Sequence, residues 1–214
     1  MKQRPSFPAR LDTGKSQAAP KTLLGATRVV TPQSPARVRP EGMASPTGVG
    51  LDSSAIRARM VQKLLAQGID DAVVLEAMGR VERHRFVDSA LVNQAYEDTS
   101  LPIGLGQTIS KPNVVARMIA LLREAPGLQG ASMMGRVLEI GTGCGYQAAV
   151  LACVAREVYS IERLRGLHDK ARENLRPMRL PNVHMIFGDG MLGYGQGAPY
   201  SAIISAAGGE NVPQ

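Results

Sequence analysis

The chain has 214 residues, 44% of them hydrophobic and 20% charged, enough for one domain with a sizeable buried core. It holds no run of about 18 apolar residues, which excludes a membrane-spanning helix and a membrane partner. It does not open on the pattern of a secretory leader, so a cytoplasmic location is expected. The formal net charge is +7, but it is unevenly spread. Residues 1–50 hold eight Lys/Arg against two Asp/Glu (+6), and residues 51–214 hold seventeen against sixteen (+1). The part expected to fold is therefore nearly neutral, and nucleic acid is not an expected partner.

Residues 1–50 carry seven of the fourteen prolines and no sustained periodicity, which predicts a disordered basic Pro-rich tail. The folded domain is expected over 51–214. A first helix is predicted from a cap at Asp52–Ser53 to Gly68, with Ile56, Met60, Leu64 and Leu65 at helical spacing. A second follows Asp70, with Val73, Val74, Ala77 and Met78 on its inner face. Residues 81–111 are mixed in character. The stretch L-P-I-G-L-G-Q-T-I-S-K holds too many glycines and polar residues to be plain core. Pro112 opens a third helix reaching about Glu124.

After Gly135 strands and helices alternate. Strands are predicted at 136–141, 157–162, 183–187 and 200–206, with helices at 145–154 and 164–175. This pattern predicts an α/β fold with a parallel sheet and helices on both faces. Ligands of such sheets bind at the carboxyl ends of the strands. Cys144 and Cys153 fall in one predicted helix, nine positions apart, and are expected as two buried, unpaired thiols. His84, His168 and His184 are scattered and form no metal cluster, so no metal is expected.

The strongest local signal is V-L-E-I-G-T-G-C-G-Y at 137–146, a strand ending in a glycine-rich turn that opens a helix. Gly141 and Gly143 let the backbone turn sharply and approach a ligand closely. Glu162 closes the second strand, twenty-one residues after Gly141, where a carboxylate can accept both hydroxyls of a ribose. Asp189 follows the third strand in F-G-D-G, where an acid can meet an adenine amino group. Each feature alone also fits a structural turn or a loop cap. At the ends of three consecutive strands they describe a nucleoside-binding crevice. Glu139, just before the turn, is costly inside an apolar strand unless paired. It fits a group that organises the turn's amides or attracts a cationic cofactor, or else a solvated strand end.

Together E-I-G-T-G-C-G-Y-Q (139–147), Glu162 and G-D-G (188–190) resemble the class I methyltransferases. L-P-I-G-L-G-Q-T-I-S-K-P (101–112), with F-V-D (86–88) and V-A-R-M (115–118), resembles the protein-L-isoaspartate O-methyltransferase family over about residues 54–214. The resemblance implies a Rossmann-like doubly wound sheet, S-adenosyl-L-methionine as cofactor, and isoaspartyl-containing proteins and peptides as partners. It marks Ser110 as catalytic, with Gln107, Thr108, Ile109 and Ser110 lying against cofactor and substrate. Glu162 would hold the ribose, Asp189 and Gly190 the adenine side. Gly141 and Gly143 would pass under the methionine part, near Glu139. The implied reaction needs no general base, because a carboxylate nucleophile is already ionised at neutral pH.

The family continues through further strands, whereas this chain stops at Gln214, shortly after the fourth. Truncation is therefore expected, with strands in the order 3-2-1-4. Other readings stay open: a class I methyltransferase with a small-molecule or RNA acceptor, and a cofactor-binding fragment without turnover. A nicotinamide-dependent oxidoreductase is a further one, against which Tyr146 stands where a dinucleotide fingerprint has its last glycine.

Overall fold

The computed structural model describes residues 54–208. The basic segment 1–50 and the expected Asp52–Ser53 cap lie outside them. Helix α1 (Ser54–Ala66) buries Met60 and Leu64. It ends at Gly68, which takes φ +85°. Leu65, expected on the inner face, is instead exposed. Helix α2 (Ala72–Arg80) is capped by Asp71 rather than Asp70: Asp71 Oδ1 accepts from the amides of Val73 (2.9 Å) and Val74 (3.1 Å). The other oxygen accepts from Arg123 Nε at 2.7 Å, at the end of α3 (Pro112–Arg123). One carboxylate thus caps one helix and pins another.

Between α2 and α3 the chain forms two short 3₁₀ segments, Arg83–Phe86 and Ser89–Gln94. An antiparallel hairpin follows, β1 (Leu101–Gly104) and β2 (Gln107–Ile109). Its strands are too short and glycine-rich for periodicity to reveal. Leu101, Ile103 and Ile109 point into the core, and Leu105 at the tip takes φ +52°.

The main sheet holds β3 (Met134–Ile140), β4 (Ala155–Glu162), β5 (Val183–Phe187) and β6 (Ala202–Ser205). Its order is β5-β4-β3-β6, parallel throughout, which is the 3-2-1-4 order expected. Helix α4 (Tyr146–Ala152) leads from β3 to β4, and α5 (Arg165–Leu175) from β4 to β5. Both steps run in one direction, so right-handed crossovers place both helices on one face. Val137, Glu139, Val158, Ser160 and Ile204 share one face by register and are buried. Every residue of α4 is buried, Gln147 being the one amide-bearing side chain among them.

The return from β5 to β6 crosses the opposite face. There the chain forms two single-turn 3₁₀ segments, Gly190–Leu192 and Gly195–Gly197. Tyr159 stacks on His184 with ring centroids 4.6 Å apart, and Tyr194 and Tyr200 pack around it. On the same face Ile203 is 56% exposed. The two cysteines flank α4 rather than lying in it. Both are unpaired, Cys144 buried and Cys153 only partly so. Among the described residues no group of acidic, His or Cys side chains could hold a metal, and no helix is long and apolar enough to cross a membrane.

Candidate active site

Four parallel strands deliver their carboxyl ends to one rim, and the sequence-predicted residues gather there. Beyond β3 the chain turns through Gly141 (φ +92°), Gly143 (φ +59°) and Gly145 (φ +90°), the region that favours glycine. A Cβ on Gly141 would stand 2.7 Å from Ala207 Cβ and 2.9 Å from its amide nitrogen, because the chain leaving β6 passes directly beside it. A Cβ on Gly190 would stand 2.4 Å from Ile140 Cγ2. The turn is a cradle only glycine can line.

Glu162, 6% exposed at the end of β4, closes this turn. Its Oε2 accepts from the Gly143 amide at 2.9 Å and its Oε1 from the Leu164 amide at 2.9 Å. The carboxylate that organises the turn's amides is therefore Glu162, not Glu139. Each oxygen keeps a second acceptor site for a ligand hydroxyl.

Glu139 is not a solvated strand end; it is 0% exposed. The Ser160 hydroxyl donates to its Oε2, and Ser160 Oγ lies 2.6 Å from Thr142 Oγ1. Oε1 makes no hydrogen bond of good geometry, and neither does either polar atom of the buried Gln147 side chain, although that amide stands near enough to favour the charged carboxylate. Burial pushes the Glu139 carboxyl up to about 8, against the opposing influence of Ser160 and then Gln147. A buried carboxyl with an unused oxygen behind a glycine turn suits a ligand that brings positive charge.

Asp189 is exposed, with Oδ1 accepting from the Met191 amide at 3.0 Å. Thr108 is exposed on β2. Ile109 turns its side chain into the core, which leaves only its backbone for any ligand. Ser110 follows at the edge of the hairpin, partly buried. The hairpin lies against the glycine turn: a Cβ on Gly143 would meet Ile103 Cδ1 at 3.2 Å. Lys170 of α5 donates to the Ile103 carbonyl at 2.9 Å and pairs with Asp88 at 3.2 Å. These ties between hairpin and crevice escaped the sequence reading. So did Arg83, whose guanidinium donates to the Ser110 carbonyl at 2.8 Å.

Comparison with known proteins decides the family. The model of the protein-L-isoaspartate(D-aspartate) O-methyltransferase family matches residues 55–214. The chain belongs to this family. It is 57% identical to the protein-L-isoaspartate O-methyltransferase of Methylibium petroleiphilum, over 98% of this chain and 77% of that protein. It is 61% identical to that of Leptothrix cholodnii, over 86% of this chain and 65% of that protein, and 61% identical to that of Cupriavidus pinatubonensis, over 76% and 54%. The chain thus spans from about half to about three quarters of these relatives' length. A solved protein-L-isoaspartate O-methyltransferase superposes with a TM-score of 0.64 at 29% identity, over 73% of this chain and 50% of that one.

Isoaspartate methyltransferases take their methyl group from S-adenosylmethionine. The crevice fits that group on its own chemistry. It offers a glycine cradle, a carboxylate spanning it at Glu162, and the unused oxygen of Glu139.

Proposed function

We propose that the protein is a repair methyltransferase that moves a methyl group from S-adenosylmethionine to the free carboxylate of L-isoaspartyl residues in damaged proteins. The observation that carries this reading is the packing of the 101–110 hairpin on the glycine turn, through Ile103 on Gly143 and Lys170 on the Ile103 carbonyl. A substrate loop pressed on a nucleoside crevice suits a bulky peptide acceptor presented to a cofactor held below.

When bound, S-adenosylmethionine supplies a methyl group on a sulfonium, reactive without further activation. The chain's residues then have binding and alignment to do, an effect that reaches roughly 7–11 kcal/mol in favourable cases. Glu162 accepts the ribose hydroxyls while holding the turn's amides. Asp189 and Gly190 line the adenine side, with the second oxygen of Asp189 available to an amino group. Gly141 and Gly143 let the backbone pass close under the methionine part. Glu139 faces its positive charge. Thr108 and the backbone of Ile109 border the cofactor, and the Ser110 hydroxyl orients the acceptor carboxylate. No proton need be removed from that carboxylate at neutral pH. A cytoplasmic location, among ageing proteins, goes with this reading.

The test is methyl transfer from radiolabelled S-adenosylmethionine to an isoaspartyl peptide, with the matched aspartyl peptide as control. Labelling confined to the isoaspartyl form supports the reading. Labelling of RNA or a small molecule instead, or of neither peptide by a protein that binds the cofactor, overturns it.

A further inference from the structure

Arg83 is 0% exposed, yet none of the ion pairs among the described residues includes it. Its partners are backbone carbonyls from three places. Nε donates to Ala95 O at 2.8 Å, and Nη2 to Ser110 O at 2.8 Å and to Thr99 O at 3.5 Å. Its Cζ stands 4.7 Å from the centroid of the Tyr146 ring. Tyr146 is the first residue of α4, directly after the Gly141–Gly145 turn.

A buried cation without a carboxylate partner is expensive, and a structural role alone is filled more cheaply by an apolar side chain. Burial does lower the Arg83 pKa, yet a guanidinium stays charged in proteins. What the guanidinium does that an apolar residue cannot is join two halves of the site. Its edge holds the main chain of Ser110. Its face lies on the residue that starts the cofactor helix. Phe86, in the same 3₁₀ segment, also packs edge-on to Tyr146 at 5.5 Å, so the segment is anchored from two sides.

We propose that Arg83 is a positioning residue for methyl transfer, fixing the Ser110 loop in register with the glycine turn through the Ser110 carbonyl and the Tyr146 ring. This rests on the repair-methyltransferase reading. Arg83 touches neither substrate nor cofactor; it acts through Ser110. Lysine keeps the charge but has no planar fork to serve several carbonyls while stacking on a ring.

The experiment compares wild type with Arg83→Lys and Arg83→Gln, with rates expressed per cofactor-binding site titrated with S-adenosylmethionine. Both variants are expected to lose kcat on an isoaspartyl peptide, roughly 10- to 100-fold, with cofactor Kd and peptide KM within about threefold of wild type. A merely structural role would lower the number of binding sites and leave kcat per site unchanged, and that result overturns the proposal. Should neither variant fold, Tyr146→Leu removes the ring under the guanidinium, and with it the Phe86 edge contact and the hydroxyl's bond to Met78, while leaving Arg83 in place. It must then show the same kcat loss, and a wild-type kcat there overturns the proposal as well. A wild type that methylates neither peptide defeats the underlying reading, and Arg83's role in this reaction falls with it. An active wild type with fully active variants defeats the role of Arg83 alone.

Discussion

Glu139 shows how one buried side chain ties stability to pH. Its carboxyl ordinarily titrates at 4.5 and is pushed up to about 8 in the fold by burial. Between those values the folded chain holds a proton that the unfolded chain has released, so stability falls as pH rises from about 4.5 to about 8. Glu139→Gln is expected to flatten that fall, worth a few degrees in Tm at pH 8, read from thermal melts at pH 5 and pH 8. The same substitution removes a carboxyl that an approaching positive charge would favour in its ionised form, and should weaken cofactor binding. Glu162 does a different job, each of its oxygens accepting from one backbone amide. Glu162→Gln puts an NH₂ group against an N–H donor, at a cost of about 1–3 kcal/mol. A loss of cofactor affinity of at least about tenfold is expected in a direct titration. Neither role was legible from spacing alone. An acid at a strand end reads as a ribose ligand whether or not it also holds a turn. The solvent exposure of Glu139 depends on what packs over it, including Ser160 from the neighbouring strand, 21 residues away.

At the scale of elements, the cap at Asp71 serves two helices at once. Asp71→Ala removes the α2 cap and strands Arg123, which is 7% exposed. The expected loss is about 2–4 kcal/mol in urea unfolding, more than the roughly 1 kcal/mol of a cap alone. Asp70 and Asp71 are equally plausible caps in the sequence; the backbone of the fold selects Asp71. The hairpin 101–109 was legible as a functional loop because its motif resembles a family's, and illegible as strands because Gly104 and Gly106 break the alternation. The sheet strands were found within two residues at every end, since apolar β-branched runs bounded by glycine and proline leave little alternative. Adjacent residues of β6 test its faces: Ile204→Lys should cost at least about 3 kcal/mol, whereas Ile203→Lys should change stability by less than about 0.5 kcal/mol. Denaturant curves of the two variants decide it. Equal losses would mean that the outer face is covered.

At the scale of the whole molecule, charge and function divide along the chain. Residues 1–50 carry +6 of the +7 net charge, while the family match begins at residue 55. Removing residues 1–50 should leave cofactor affinity and turnover on an isoaspartyl peptide within about twofold and abolish retention on a cation exchanger. A larger loss of turnover would assign the segment a part in substrate capture.

The sequence by itself determined the α/β class, the strand order and the gathering of Gly141, Gly143, Glu162 and Asp189 at one rim. The class and the rim follow from local patterns, apolar runs of strand length and glycines at a strand–helix turn, and the strand order from the resemblance to the family. Only the tertiary structure decided which acid holds the turn, which is buried with an unused oxygen, and that Arg83 and Lys170 tie the hairpin to the crevice. Those contacts join residues 27 and 67 positions apart. Such pairings carry no period and no spacing; they exist only once the sheet has brought the two ends together.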